Sequence, residues 1–461
     1  MNEVTCTLLV IGGGPGGYVC AARAGRMGVD TVLVEAATLG GTCLNVGCIP
    51  SKALIHAAGA FHTARRQSGS GLHGVIVTEP TLDYGATRHW MGGVVDRLVS
   101  GVGGLLQRAG VRVITGRARF VDGKTLRVEG PEGDILVRAE AVVIATGSRA
   151  AAVPGLPFGG RVIDSTGALA MTQPPARLAV VGAGYIGLEL GTAFAKLGSA
   201  VTLVEAAPSV LPQYDERLTR PVQRRLNDLG ITLKLDARVE GWDEVKGALR
   251  IAGAEGPEEL AVDRVLVTVG RVPMVDGLGL EELGLRQAGR FIAVDDGCRT
   301  SMRGVYAIGD VTEGPMLAHR AMAQGQVVAD IVAGRSAGWD KVCVPAVCFT
   351  DPEILCVGLL PDAVPEADRL VSESSFRASG RALTLDDTEG FVRIVARKSD
   401  HVLLGIQAVG PGVAELASGY ALALENGLLL EDVAATIHAH PTLSEGFQEA
   451  AMAATDMVNH C

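Results

Sequence analysis

Positive charge is scarce in this chain. Lys and Arg number 41 against 51 Asp and Glu among 461 residues, a formal net charge of −10, and the basic residues form no stripe. Such a chain repels a phosphate backbone, which argues against nucleic acid as a partner. Long apolar runs are also missing. The best membrane candidate, 178–194, carries Glu189 inside it and is punctuated by glycines and other small residues, so no membrane span is expected. The opening MNEVTCTLLVIGGG lacks both a basic stretch ahead of an apolar core and an Arg-rich presequence, and a soluble cytoplasmic protein is the expectation. A disulfide framework is excluded on the same footing. Nine cysteines, an odd number, are spread along a long chain with no secretory signal, so any disulfide here should be a reactive one.

Apolar residues at 48% rule out a disordered or collagenous chain, and the length suits two to four domains. Glycine is in excess: 61 residues, about 13% against a usual level of about 7%. Many of these glycines cluster in short loops, as in an enzyme whose backbone approaches ligands closely. The strongest organisational signal is an internal repeat. Residues 8–37 read LLVIGGGPGGYVCAARAGRMGVDTVLVEAA and residues 178–207 read LAVVGAGYIGLELGTAFAKLGSAVTLVEAA. Gly12, Gly17 and Glu35 match Gly182, Gly187 and Glu205 without a gap. Each copy predicts a strand, a glycine turn, a helix and a second strand ending in an acid. Such glycines let the backbone near a pyrophosphate, the helix N-terminus favours its charge, and the acid accepts from ribose hydroxyls. Glu205 would repel a 2′-phosphate, and no Arg follows until Arg217, so the second unit should take NAD rather than NADP.

Three further strand-to-glycine exits follow: VVIATGS (142–148), VLVTVGR (265–271) and VYAIGDV (305–311). The stretch 112–138 reads as a small antiparallel excursion. From about Val344 the pattern changes to strands such as FVRIVAR (391–397) and VLLGIQAV (402–409), then helices, a separate α+β block.

Cys43 and Cys48 form the chemical centre, in GGTCLNVGCIPSK (40–52). The following stretch 51–65 predicts a helix whose N-terminal field would lower a thiol pKa. A zinc site needs partners that this segment lacks. Cys343 and Cys348 share the same spacing in CVPAVC, but that stretch reads as a strand without glycines, where residues five apart face opposite ways. Spacing alone therefore decides nothing; the flanking GGT, the turn at Asn45-Val46-Gly47 and Pro50-Ser51-Lys52 carry the assignment. In HAHPTLSE (438–445), His440 followed five residues on by Glu445 could be a general acid/base with an orienting acid, and the proline after His440 raises a cis bond.

Together GGTCLNVGCIPSK, the paired nucleotide motifs, VVIATGS, VYAIGDV and HAHPTLSE resemble the class I flavin-dependent pyridine nucleotide–disulfide oxidoreductases, over essentially the whole chain. Within that family the resemblance is greatest to members that oxidise protein-bound dihydrolipoamide to lipoamide for 2-oxoacid dehydrogenase complexes. VPAVCFTDPE (344–353) and GIQAVGPGVAEL (405–416) are similar to the bacterial branch serving branched-chain 2-oxoacids. The resemblance implies an α/β protein with two Rossmann-like dinucleotide-binding domains, for FAD and NAD, plus a C-terminal α+β dimerisation domain. The divisions expected are 1–150, 151–272, a segment 273–343 returning to the FAD domain, and 344–461.

It implies FAD held by Gly12, Gly14, Gly17, Gly41 and Thr42, with Glu35 on the adenosine ribose. Gly116 and Thr146-Gly147-Ser148 would lie near the adenosine and pyrophosphate, Asp310 on the flavin side-chain hydroxyls, and Met316, Leu317, Ala318 and His319 along the flavin. NAD would be held by Gly182, Gly184, Tyr185, Ile186, Gly187, Glu205, Gly270 and Arg271. Cys43 matches the interchange thiol and Cys48 the charge-transfer thiol, with Lys52 beside the flavin and paired to Glu189. His440 and Glu445 match an acid/base pair that reaches the other subunit's site, so a homodimer is implied. The lipoyl domain and acyltransferase core of a 2-oxoacid dehydrogenase complex would be the partners.

The chain departs from the family pattern at Val272-Pro273-Met274, where a polar residue usually follows the proline, and at Gln324, where an acid is commoner. Tyr185 matches a position that gates the nicotinamide pocket in glutathione reductases, and it is expected to cover the flavin until NAD arrives. Glutathione reductase is disfavoured by Glu205; mercuric and large thioredoxin reductases need a C-terminal redox pair, where this chain has Cys461 alone. Transhydrogenases of this fold lack the disulfide. A subunit that only docks keeps the fold without turnover, which the presence of Cys43, Cys48, His440 and Glu445 opposes.

Overall fold

The computed structural model describes residues 2–131, 133–254 and 256–455; Cys461 lies outside them. Strand Asn2–Ile11 sits at the centre of the first sheet, and Leu8, Leu9 and Val10 are fully buried because layers cover both faces. It pairs in parallel with Thr31–Glu35 on one side and Gly133–Ile144 on the other. Helix α1 (Pro15–Arg26) makes the first crossover. Helices α2 (Gly41–Val46), α3 (Cys48–Ser70) and α4 (Tyr84–Arg108) follow before the chain re-enters the sheet.

The stretch 112–138 is not wholly antiparallel. Arg112–Thr115 lies parallel to Thr31–Glu35, and only Arg117–Asp122, Thr125–Gly130 and the start of Gly133–Ile144 form the antiparallel meander. A chain returning from a helical crossover enters a sheet parallel, which local alternation cannot reveal. The far half of Gly133–Ile144 also pairs in parallel with Val305–Ala307.

The second unit repeats the plan. A five-stranded parallel sheet runs Thr232–Lys234, Ala200–Val204, Arg177–Val181, Arg264–Val267 and Val162–Ile163 in spatial order. Helix α5 (Tyr185–Lys196) is the counterpart of α1, and α6 (Glu216–Asp228) precedes the edge strand. The strands Arg238–Asp243, Ala248–Gly253 and Gly256–Ala261 form a separate antiparallel sheet. Helix α7 (Ala318–Val332) lies along α1, where Arg23 donates to Asp330 at 3.0 and 2.8 Å and a Cβ at Gly325 would stand 2.5 Å from the Gly16 carbonyl.

The last block is a five-stranded antiparallel sheet in the order Ala346–Cys348, Glu353–Gly358, Leu403–Gly410, Phe391–Arg397, Arg369–Ser375. Its two strongest strands match the two read from sequence, and helix α8 (Glu445–Ala454) is among those packed on it. One apolar cluster ties the three parts together: Leu54 of α3, Leu188 of α5 and Cys348, Ile354 and Cys356 of the last sheet. Arg393, almost fully buried, donates to Asp215 at 2.6 and 3.2 Å across the same junction and to Gln407 of the neighbouring strand at 2.8 Å.

Candidate active site

The two glycine turns are built alike. Gly12 and Gly182 take φ of +104° and +100°, a region closed to most side chains, and a Cβ at Gly12 would lie 2.4 Å from the Ala145 carbonyl. Gly17 and Gly187 press their helices onto the turns, where a Cβ would come within 1.8 and 2.0 Å of the Gly12 and Gly182 carbonyls. Gly184 faces open space, and Gly14 meets only the Gly41 Cα at 4.0 Å. A ligand backbone can therefore approach each helix N-terminus, and the cradles fit dinucleotides.

The acids repeat as well. Glu35 accepts from the N–H groups of Gly13 (2.6 Å) and Ala37 (2.8 Å); Glu205 accepts from Ala183 (2.7 Å) and Ala207 (2.8 Å). Each carboxylate is fixed by one bond per oxygen, and a carboxylate has about four acceptor sites, leaving two for ribose hydroxyls. The Gly116 N–H donates to the Glu35 carbonyl at 2.9 Å.

A polar chain links the return crossing to the first unit. Ser148 donates to Asp310 at 2.5 Å, and Thr146 donates to the Met274 carbonyl at 2.6 Å. The Met274 N–H in turn reaches the Gly147 carbonyl at 2.8 Å, so the unusual residue after Pro273 contributes its backbone here. Arg271 donates to the Ser148 hydroxyl and carbonyl, both at 2.7 Å, which commits its guanidinium to the first unit's turn. Gln324, where an acid is commoner, is buried and accepts from the Gly309 N–H at 2.7 Å, a role an amide oxygen fills without charge. Met316 and Leu317 lead into α7, which begins at Ala318, and His319 is bonded through Nε2 to the Pro345 carbonyl at 2.8 Å.

Cys43 lies in α2 and Cys48 is the first residue of α3, which starts earlier than the sequence suggested. Gly47 breaks the two helices apart; a Cβ there would sit 2.8 Å from the Thr42 carbonyl, so only glycine lets the chain fold back this tightly. Asn45 braces the turn, donating to Gly41 (2.9 Å) and Leu39 (3.0 Å) carbonyls. The fold brings the two thiols into hydrogen-bond contact. That bond, opposed by burial and aided by the Lys52 ammonium, draws the Cys48 thiol down to about 7, while Cys43 is held far above the ordinary thiol range. The charge therefore belongs on Cys48.

Lys52, one turn along α3, donates to Glu189 at 2.7 Å and stands 4.5 Å from the Phe349 ring centre. Glu189 is 6% exposed and also accepts from the Phe349 N–H at 3.0 Å, so it joins α3, α5 and the last domain. By contrast Cys348 is fully buried and its thiol is pushed well up by burial, with Glu189 adding to the rise. Cys343 faces Glu425 instead.

His440 Nδ1 lies 2.9 Å from Glu445, whose other oxygen accepts from the Thr442 N–H at 2.8 Å. Against the upward push of burial, the Thr442 and His440 contacts hold the Glu445 carboxyl below its usual range. The His440–Pro441 bond is cis. The ring is 79% exposed, and among the described residues no hydrogen bond joins it to Cys43 or Cys48. Two participants escaped the sequence reading. Phe349 acts through its backbone, and Tyr214 bonds to Tyr185 from a loop with no motif. That bond holds the Tyr185 hydroxyl against Tyr214, whose own hydroxyl contacts Cys356 of the C-terminal sheet.

The chain matches the pyridine nucleotide-disulphide oxidoreductases over residues 6–325 and the dimerisation domain of the same group over 344–451. It is 52% identical to the dihydrolipoyl dehydrogenase of Pseudomonas aeruginosa, covering 100% of both chains, and 45% identical to dihydrolipoyl dehydrogenase 2 of Haloarcula marismortui, covering 98% and 97%. Among solved structures it is similar to LpdA from Mycobacterium tuberculosis (TM-score 0.89, 28% identity, 97% and 99% covered). It is also similar to the HOCl-induced flavoprotein disulfide reductase RclA from Escherichia coli (TM-score 0.87, 28% identity, 98% and 100% covered). The chain belongs to the pyridine nucleotide–disulphide oxidoreductases.

Proposed function

We infer that this chain is a dihydrolipoyl dehydrogenase, which oxidises protein-bound dihydrolipoamide with NAD+ as acceptor. FAD and NAD are its cofactors, and it works as a homodimer. The observation that carries the reading is the Cys43–Cys48 pair, with its charge on Cys48, set beside Lys52–Glu189 in a chain 52% identical to a dihydrolipoyl dehydrogenase.

Starting from the disulfide form, a substrate thiolate attacks Cys43 Sγ and displaces Cys48 as thiolate; the second substrate thiolate then displaces Cys43. The substrate leaves as the cyclic disulfide and both cysteines are reduced. His440 takes the proton from the attacking thiol, held in place by Glu445. Its exposure suits a residue that completes the site of the partner subunit. Lys52 stabilises the Cys48 thiolate, and bound FAD supplies the two-electron relay between the dithiol and the nicotinamide. Glu35 and Glu205 hold the two riboses, Ser148 and Asp310 the FAD side chain, and Glu205 selects against a 2′-phosphate.

The residue ranges 1–150, 151–272, 273–343 and 344–461 serve as FAD, NAD, returning and interface segments in this reading. The partner is the lipoyl arm and acyltransferase core of a 2-oxoacid dehydrogenase complex in the cytoplasm; among the described residues no helix is long and apolar enough to cross a membrane. Reduction of NAD+ by dihydrolipoamide, fast in the wild type and absent in Cys48→Ser, tests the assignment. A holoenzyme whose Cys43–Cys48 pair is reducible but which ignores dihydrolipoamide would overturn it.

A further inference from the structure

Tyr185 opens α5 directly after Gly184, at the helix N-terminus where a dinucleotide lays its pyrophosphate. One turn on, Glu189 grips Lys52, the cation whose field acts on Cys48. Residues four apart share a helix face, so Tyr185 stands on the stretch between the phosphate turn and the redox centre. The nicotinamide end of the dinucleotide has to lie along that stretch.

The phenol is not free to occupy it. Its hydroxyl is bonded to that of Tyr214, with the rings 6.2 Å apart and 25° from parallel. The Tyr214 hydroxyl also contacts the Cys356 thiol, which is 7% exposed on strand Glu353–Gly358. Both rings pack against the apolar cluster shared by the three parts of the molecule. The tip of Tyr185 is thus drawn toward the C-terminal sheet.

We propose that Tyr214 is a positioning residue that latches Tyr185 in this withdrawn place and keeps the nicotinamide path open. The inference rests on the proposed function only for the identity of the electron donor. Released from the latch, the ring swings back over the path and competes with NAD+. Burial pushes the Tyr185 phenol up to about 12, so the latch does not titrate in the working range.

Tyr214→Phe deletes the oxygen and leaves the ring. In the holoenzyme, the Kd for NAD+, read from flavin fluorescence without any dithiol, and the KM for NAD+ should both rise about fivefold, the size of one lost hydrogen bond. kcat at saturating NAD+ and the KM for dihydrolipoamide should stay within about twofold, because only the competing ring position changes. Tyr185→Phe breaks the same bond, and its NAD+ Kd should rise by a similar factor. In a Tyr185→Ala background, where no ring remains to release, adding Tyr214→Phe should have no further effect. An unchanged or tighter NAD+ Kd in Tyr214→Phe, or a loss that persists in the Tyr185→Ala background, would overturn the latch. Should dihydrolipoamide fail to reduce the wild type while the NAD+ shift holds, the latch stands and the functional assignment falls.

Discussion

Replacing Cys43 by alanine isolates the contact that sets the charge of Cys48. The Cys48 thiol is drawn from 9.0 to about 7, foremost by the bond from Cys43, with burial opposing and Lys52 helping. A hydrogen bond to a charged acceptor contributes about 1.5–3 kcal/mol, or about one to two pH units at roughly 1.4 kcal/mol per unit. That range covers the whole depression, so Cys43→Ala should raise the Cys48 midpoint to about 8–9. Cys43→Ser keeps a donor and should stay near the wild-type value. The assay is the pH dependence of iodoacetamide alkylation of the reduced holoenzyme. Because only the thiolate reacts, the rate rises as pH climbs through the midpoint. At pH 7 the alanine variant should react about 5- to 50-fold more slowly than the serine variant. Several other thiols will not interfere: Cys6 is held at about 11 by burial, and Cys20, Cys298 and Cys356 at about 12 by the same cause. Equal midpoints in the two variants would refute the reasoning and assign the low value to Lys52 and the helix field.

Other outcomes follow from the same geometry. Glu445→Gln removes the charge that orients His440, and kcat with dihydrolipoamide should fall at least about tenfold, with His440→Gln falling about 10²–10⁴-fold; an unchanged NAD+ KM in both separates this from a folding defect. Glu205→Gln should weaken NAD+ about tenfold and narrow the gap to NADP+, as read from the two kcat/KM values. Arg393→Met strands Asp215, which is 27% exposed, so the loss in urea unfolding should be about 3 kcal/mol, the low end for a buried pair. Burial works against the Asp215 carboxylate, but the Arg393 contact outweighs it and holds the pKa low, so this difference should be full at neutral pH and shrink as pH falls through the carboxylate range.

The repeat at fixed offset was enough to place both glycine turns, both acids and the parallel strands beside them, because a turn that must approach phosphate constrains local residue types. Cys43 with Cys48 and His440 with Glu445 lie within a few residues of each other and meet in the structure, whereas Lys52 and Glu189, 137 residues apart, could be paired only through the family resemblance. Apart from Lys52–Glu189, contacts made by backbone or across domains carry no local sequence signal. Nothing in Phe349 announces that its N–H will fix Glu189, and nothing in Tyr214 announces Tyr185 as its partner. The resemblance implies Arg271 at the second nucleotide site; the antiparallel pairing of Arg271–Pro273 with Ser148–Ala150, a contact no local pattern announces, also bonds its guanidinium to Ser148. Arg112–Thr115 is parallel, not antiparallel as its alternation suggests, because strand direction is decided by the crossover that α4 makes and not by the strand itself.

The measurement that tests the account most directly is the anaerobic rate at which dihydrolipoamide reduces NAD+ and NADP+ through the purified yellow holoenzyme. The account predicts rapid reduction of NAD+, slow reduction of NADP+, and neither in Cys48→Ser. No reduction of NAD+ by the wild type, with FAD bound and the Cys43–Cys48 pair reducible, would contradict it.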